Sequence, residues 1–238
     1  MSVIGGPDIV EDGLIFYIDP GNTKSYSGSG TDATDLIYPT EWSIEGTGIY
    51  YDSSMKTFAY PDNATSKWIE TDESFELTSD SSSLTYDFWC NLSNNTVSYP
   101  SLFYDRGQST TPYVWIYTSS TEYLFIQYST RSSYAATNTG FMFTNDNINI
   151  WLNIVIAVQY GDNPEIKTYI NSDLESTLYP AGECLFPSEN TTKRIGSYSN
   201  LSGHCWRGNI GTTKIYNRIL DSTEILQNYD AIKGRYGL

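Results

Sequence analysis

The sequence predicts an all-β fold, and three observations predict it. Tyrosine is unusually abundant, at 21 of 238 residues. Aromatic and β-branched side chains suit a pleated, half-buried surface, and the plentiful Gly, Asn, Asp and Ser suit the turns between strands. Apolar and polar residues alternate over Leu84-Thr85-Tyr86-Asp87-Phe88-Trp89-Cys90-Asn91-Leu92, which puts Leu84, Tyr86, Phe88, Cys90 and Leu92 on one face. Two pairs of such runs are joined by short turn-forming segments, as hairpins require. With 39% of residues hydrophobic and 17% charged, the chain can fill a core and is no disordered polymer.

The elements follow in order. Residues 1–12 form an N-terminal arm, and the nearly all-apolar run 13–19 reads as a strand buried on both faces, closed by the Pro20-Gly21-Asn22 turn. Residues 23–47 are rich in Ser, Gly, Thr and Asp and read as a long loop. Short strands are predicted at 49–52, 57–60 and 67–71, then the alternating strand 84–92 and another at 101–107. Runs 113–117 and 123–128 make one hairpin through Ser119-Ser120-Thr121. Runs 151–160 and 166–172 make a second through Gly161-Asp162-Asn163-Pro164. Strand 193–197 precedes a last strand over 209–216, where Gly211 marks a bulge or a close backbone approach. Asp221-x-x-Glu224 then opens a short helix as a capping box. Ile225, Leu226, Tyr229 and Ile232 fall on its apolar side and Gly234 sits where a helix stops.

Charge and composition exclude several functions. A net charge of −15 and a pI near 4.2 repel nucleic acid and anionic membrane. No apolar run is long enough to span a bilayer, and the first residues are too short and polar for a signal peptide, so synthesis in a cytoplasm without export by a signal is expected. The three cysteines, Cys90, Cys184 and Cys205, are odd in number and irregularly spaced, which fits buried thiols, with a single Cys184–Cys205 bridge as the alternative. A catalytic triad would depend on the one histidine, His204, whose neighbour Cys205 must point to the opposite face of a strand. A structural zinc site needs about four Cys or His ligands, more than the chain can gather.

Gly208-x-Ile210-Gly211-x-x-x-Ile215-Tyr216-Asn217-Arg218-x-Leu220-x-x-x-Glu224-Ile225 resembles the closing signature of laminin-G-like, concanavalin-A-like jelly-roll domains. The ending Asn228-Tyr229-x-Ala231-x-Lys233-Gly234-Arg235-Tyr236-Gly237-Leu238, with the opening Asp12-Gly13-Leu14-Ile15-Phe16-Tyr17-Ile18-Asp19-Pro20-Gly21-Asn22, resembles such domains in structural proteins of tailed phages, marine ones especially. The chain departs from the family at Asp35-Leu36-Ile37-Tyr38-Pro39, where related domains carry Asp-Leu-Ser-Gly. It departs again at Ser172, which replaces a turn glycine.

The resemblance implies an antiparallel β-sandwich jelly roll with a short C-terminal helix, formed as a single lectin-like domain over 13–238. It also implies a non-enzymatic structural module on the virion surface, as a capsid decoration or a tail- or fibre-associated protein, whose partners are other virion proteins. The alternative is a lectin for host-surface glycans, with Trp42, Tyr134, Tyr198 and Asn200 (and Tyr60) as candidate contacts. A third reading, glycoside hydrolysis, needs two carboxylates about 5–10 Å apart. The nearest match to the family's Glu-x-Asp-x-(x)-Glu motif is Glu70-Thr71-Asp72-Glu73-Ser74-Phe75-Glu76, where Ser74 stands in place of the second Glu. No cofactor is expected beyond the calcium that lectin-like relatives hold, for which Asp105, Asp146 and Asp162 are the loop candidates. The arm, with Val3, Ile4, Ile9 and Val10, is expected either to pair with a neighbouring copy or virion protein, or to pack across its own sandwich.

Overall fold

The computed structural model describes residues 8–46, 48–61, 67–71, 82–93, 99–106, 113–131, 133–187, 192–198 and 204–238. Two antiparallel sheets face each other. Sheet A holds β1 (Leu14–Ile18), β4 (Tyr50–Asp52), β5 (Thr57–Tyr60), β7 (Ser83–Leu92), β12 (Trp151–Gln159), β13 (Glu165–Ile170), β14 (Asp173–Leu178) and β16 (Gly208–Tyr216). Sheet B holds β2 (Asp32–Thr34), β3 (Glu41–Glu45), β6 (Trp68–Thr71), β8 (Ser101–Arg106), β9 (Val114–Thr118), β10 (Tyr123–Ser129), β11 (Tyr134–Met142) and β15 (Thr192–Ile195). Sheet B runs in the order β11-β10-β9-β8-β15-β6-β3-β2. Between the sheets, one apolar cluster joins Phe88, Cys90, Ile154 and Ile156 of sheet A to Phe103, Val114, Ile116 and Ile126 of sheet B.

Strand β16 is the hub of sheet A. It pairs with β7 along one side, and with β5 and then β1 along the other. Its register against β7 shifts between Ile210 and Thr213, a bulge at Gly211, as the sequence predicts. A side chain at Gly211 would run into the Tyr236 hydroxyl, so close approach demands the glycine as well.

The long polar segment 23–47 is not one loop, because it contains β2 and β3. Trp42 and Ile44 of β3 turn inward while Glu41 is exposed. Strands β11 and β14 also escape the sequence reading. Both are edge strands with mostly exposed or half-buried positions, and so lack an apolar signature. Asn171 and Ser172 sit at φ 51° and 72°, the left-handed pair a tight hairpin turn between β13 and β14 needs. Ser172 therefore holds the position at which related domains use glycine.

The helix, α1 (Ser222–Ile232), starts as expected. Asp221 accepts N–H bonds from Thr223 and Glu224 at 2.8 and 2.9 Å, and Glu224 accepts from the Asp221 N–H at 2.9 Å. Arg218 grips both oxygens of Glu224, at 2.8 and 2.6 Å. Ile225 and Ile232 are buried and Tyr229 is half-buried, but Leu226 is exposed, and buried Asn228 takes the place expected of an apolar residue. The helix does not stop at Gly234 either. A 3-10 turn (Lys233–Tyr236) continues it, and Gly237 ends it in the left-handed conformation at φ 79°.

The described end of the arm lies against its own sandwich. Val10 is buried; its N–H donates to the Asn228 Oδ1 at 2.8 Å and its carbonyl accepts from the Tyr216 hydroxyl at 3.1 Å. Ile9 packs on the same cluster, so Ile9 and Val10 dock on their own sandwich; Val3 and Ile4 lie outside the described residues.

Candidate functional site

Alternation along the strands of sheet B sends Val114, Ile116, Leu124 and Ile126 inward. The intervening residues Trp115, Tyr117, Phe125 and Gln127 therefore point outward. Backbone pairing aligns one outward row across the sheet: Ser43, Glu70, Arg194, Tyr104, Trp115, Gln127 and Ala136 are successive cross-strand partners. Cross-strand neighbours on one face lie close enough for aromatic rings to touch.

They do touch. Trp115 is stacked between Tyr117, with ring centroids 4.0 Å apart and planes at 24°, and Tyr198, at 4.5 Å and 23°. Phe125 extends the stack beyond Tyr117 at 5.7 Å. Tyr104 meets Tyr198 edge-on at 4.7 Å, and His204 meets it at 5.0 Å. The indole N–H of Trp115 donates to the Ser101 Oγ at 2.8 Å, which fixes the ring.

The middle of the stack is closed and its rim is open. Trp115, Tyr117 and Tyr104 are buried, Tyr113, Phe125 and Tyr198 are half-buried, and Tyr99 and Tyr134 are exposed, Tyr134 to 62%. Tyr113 lies within electrostatic reach of both Tyr134 and Tyr198, its N–H donates to the Ser129 Oγ, and its hydroxyl accepts from the Gln127 amide. The one helix among the described residues packs on sheet A, leaving this face without a helical cover. Burial, with Tyr99 and Tyr113 nearby, pushes the Tyr117 phenol up to about 12, and burial holds His204 below the usual histidine range. Beside the rings lies one charged pair, in which Arg194 Nε is 2.7 Å from Glu70 and its guanidinium sits 4.4 Å over the Trp68 ring, and the acidic side chains Asp32, Glu41 and Glu45 share this face toward its β2 edge.

Of the glycan contacts expected from sequence, the structure brings Tyr134 and Tyr198 together on this face. Trp42 is not available: it is fully buried and packs on Phe16 at 4.7 Å between the sheets. Tyr60 is likewise fully buried, and Asn200 lies outside the described residues. Sequence reasoning missed Tyr113, Trp115, Tyr117 and Phe125. Their strands read as apolar on both faces, and only Gln127 and Ser129, in phase with Phe125, could have marked the outer side.

The loop aspartates do not assemble a calcium site. Asp105 is buried opposite Lys193, a buried lysine. Asp146 is exposed, and Asp162 is exposed beside Arg131 at 3.8 Å. Among the described residues no three His, Cys, Asp or Glu side chains are placed to hold a metal ion. Cys90, Cys184 and Cys205 are buried thiols, and no bridge joins Cys184 to Cys205. Of the glycosidase-like run, Glu70 is held by Arg194, and Asp72, Glu73, Ser74, Phe75 and Glu76 lie outside the described residues.

A family profile for the concanavalin A-like lectin/glucanases superfamily (Laminin G type 3) matches residues 62–226. The chain belongs to this superfamily. No curated protein sequence matches it. Among solved structures, the binding domain of botulinum neurotoxin DC in complex with SialylT superposes with a TM-score of 0.68 at 14% identity, over 94% of this chain and 52% of that one. Another, the botulinum neurotoxin DC binding domain in complex with rat synaptotagmin II, superposes at 0.63 and 14% identity, over 92% and 52%. Domain 4 of AbnA, a GH43 extracellular arabinanase from Geobacillus stearothermophilus in complex with arabinotriose, superposes at 0.59 and 13%, over 92% of this chain and 100% of that one. The chain thus spans about half the length of the toxin domains. At these identities the likeness is one of fold.

Proposed function

We propose that this superfamily member is a non-catalytic binding module that holds a neutral carbohydrate on the outer face of sheet B, against Tyr113, Tyr134, Tyr198 and Phe125. The observation that carries the reading is a connected layer of aromatic rings whose rim stays open to solvent. Ligand sites are typically lined by aromatic surface with a few placed polar groups. Here the polar groups are the Gln127 amide and the tyrosine hydroxyls. The cation in the row, Arg194, already holds Glu70, so among the described residues the row offers no free positive charge for a uronate or sulfate. The solved neighbours support a binding role, since their descriptions name binding domains and, in one case, a bound arabinotriose.

An array of neutral and acidic glycans, followed by calorimetry on the best neutral one, tests this. Tyr113→Ala and Tyr134→Ala should each weaken binding about tenfold or more, some 1.4 kcal/mol. An array without a neutral ligand, or unchanged affinity in both variants, sinks the reading.

A virion role is a second reading, favoured by the likeness of the terminal motifs to phage structural proteins. In the structure those motifs close the fold: residues 14–18 pair with β16, Asp19 binds Arg235, and Arg218 binds Glu224. They leave the aromatic face free for a host-surface glycan. Mass spectrometry of purified particles tests it, and particles that lack the chain overturn it.

A further inference from the structure

Sheet A carries a cleft of its own, at the edge opposite β14. Its volume is about 270 Å³, and Tyr50, Asp52, Ala59, Ser93, Gly208 and Asn209 line it. Two small residues make the depth. Ala59 stands between Tyr50 and Asn209 as their common cross-strand partner, so the floor drops between two taller side chains. Gly208 adds no side chain, and at φ 121° it can hardly gain one, since a Cβ there would collide with the Asn91 carbonyl and lie 2.8 Å from the Ser93 nitrogen.

The polar groups around that floor are only half used. Asp52 Oδ1 accepts from the Ser54 N–H at 2.9 Å, the Ser54 hydroxyl at 2.6 Å and the Met55 N–H at 3.2 Å. Those local donors hold the carboxyl below its usual range, so it is ionised at neutral pH, while Oδ2 has no partner among the described residues. Asn209 is oriented by the Thr57 hydroxyl, which bonds its Oδ1 at 3.3 Å, and its Nδ2 donors have no partner among the described residues. Tyr50 stands beside them with its ring 56% exposed.

We propose that this cleft is a second ligand site and that it takes a single neutral pyranose. Vicinal hydroxyls would donate to Asp52 Oδ2 and accept from Asn209 Nδ2, and the sugar's C–H face would lie on the Tyr50 ring. The volume is just below the usual range for drug-sized ligands and suits one sugar ring rather than a chain. The Asp52 charge repels a uronate. The site lies on the opposite sheet from the aromatic face and does not depend on it.

The experiment is amide chemical-shift mapping of the full chain with methyl glucoside, methyl galactoside, methyl mannoside and, as the anionic control, methyl glucuronide. At least one neutral glycoside should shift the amides of Tyr50, Asp52, Ala59 and Asn209 with a Kd on the order of 1–10 mM, and the glucuronide should not. Tyr50→Ala and Asp52→Asn should each weaken that titration at least tenfold. Both are surface changes, and Asn keeps an acceptor for the Ser54 and Met55 donors. The proposal is overturned if no neutral glycoside moves these amides, if the glucuronide moves them equally, or if both variants titrate like the parent.

Discussion

The outer face of sheet A and the outer face of sheet B rest on the same alternation of side chains, but among the described residues only the first is roofed by a helix. On sheet A the roof is α1 with the end of the arm, and the contact beneath it is partly ionic. Lys214 and Asp87 are both fully buried and 2.6 Å apart. Asn153 donates to Asp87 at 2.7 Å, and Asn228 of the helix donates to Asp87 at 3.2 Å and to the Tyr216 hydroxyl at 2.9 Å. On sheet B the middle of the outward row is aromatic, and among the described residues an ion pair lies at the edge of the stack and no helix covers it. Directional polar bonds dock one helix in one register, whereas rings offer broad contact to something that comes and goes. Beneath its roof sheet A holds the fold, while its β4–β5 edge lies clear of the roof, and on sheet B the rim of the ring stack meets solvent.

The largest effect should come from breaking the ionic clamp. Asp87→Ala leaves the Lys214 ammonium buried without its counter-charge, which should cost about 3–5 kcal/mol. Adding Lys214→Met should recover part of that loss, though Asn153 and Asn228 would still lack their acceptor. Denaturant titration measures both. A near-neutral Asp87→Ala would mean that the roof is held by apolar contact alone.

The apolar share comes next. Ile225 is fully buried against Val155 and Tyr216, and Ile225→Ala should cost about 3 kcal/mol. Parent-like stability would show that α1 is loosely seated and that the contrast between the faces is false.

A smaller effect concerns pH at the rim of the same roof. Asp35 is buried and accepts from the N–H groups of Tyr17 and Ile37 at 3.0 and 2.9 Å. Burial outweighs those bonds and lifts its carboxyl to about 6. The folded state then holds the proton more tightly than the unfolded chain, so stability falls as pH rises from about 4 through 6. Asp35→Asn keeps an acceptor and removes the charge; it should be on the order of 2 kcal/mol more stable than the parent at pH 8 and close to it at pH 4. An identical pH profile for the two proteins would refute the assignment.

The roofed face was more legible in the sequence than the open one, for physical reasons. A capping box, a bulge glycine and a helical period are local signals, and Asp221, Gly211 and Ile225 all sit where they point. Asn228 was unreadable because its partners, Val10, Asp87 and Tyr216, are brought together only by the fold. The inward strands were legible too, while β11 and β14 were not, because an edge strand buries too little for its alternation to show. On the open face Trp42 and Tyr134 are similar as residue types, yet one fills the core and the other meets solvent. Only pairing decides that: Ile44, two positions from Trp42, is the partner of core Ile69, and Tyr134 pairs with outward Ser129.

The smallest expected effect separates binding from folding on the open face. Tyr134 is 62% exposed on the edge strand β11, and it takes no part in the ring stack around Trp115. Surface substitutions away from buried contacts usually change stability by less than about 0.5 kcal/mol, so Tyr134→Ala should melt with the parent protein. The same substitution should weaken glycan binding about tenfold or more, since its ring is available to a ligand and to little else. A thermal melt beside a binding titration reads both quantities from one preparation. If Tyr134→Ala lowers stability by more than 1 kcal/mol, the rim rings are part of the fold as much as the stack is. The division between the roofed part of sheet A, which holds the protein together, and a rim on sheet B that meets a ligand then fails.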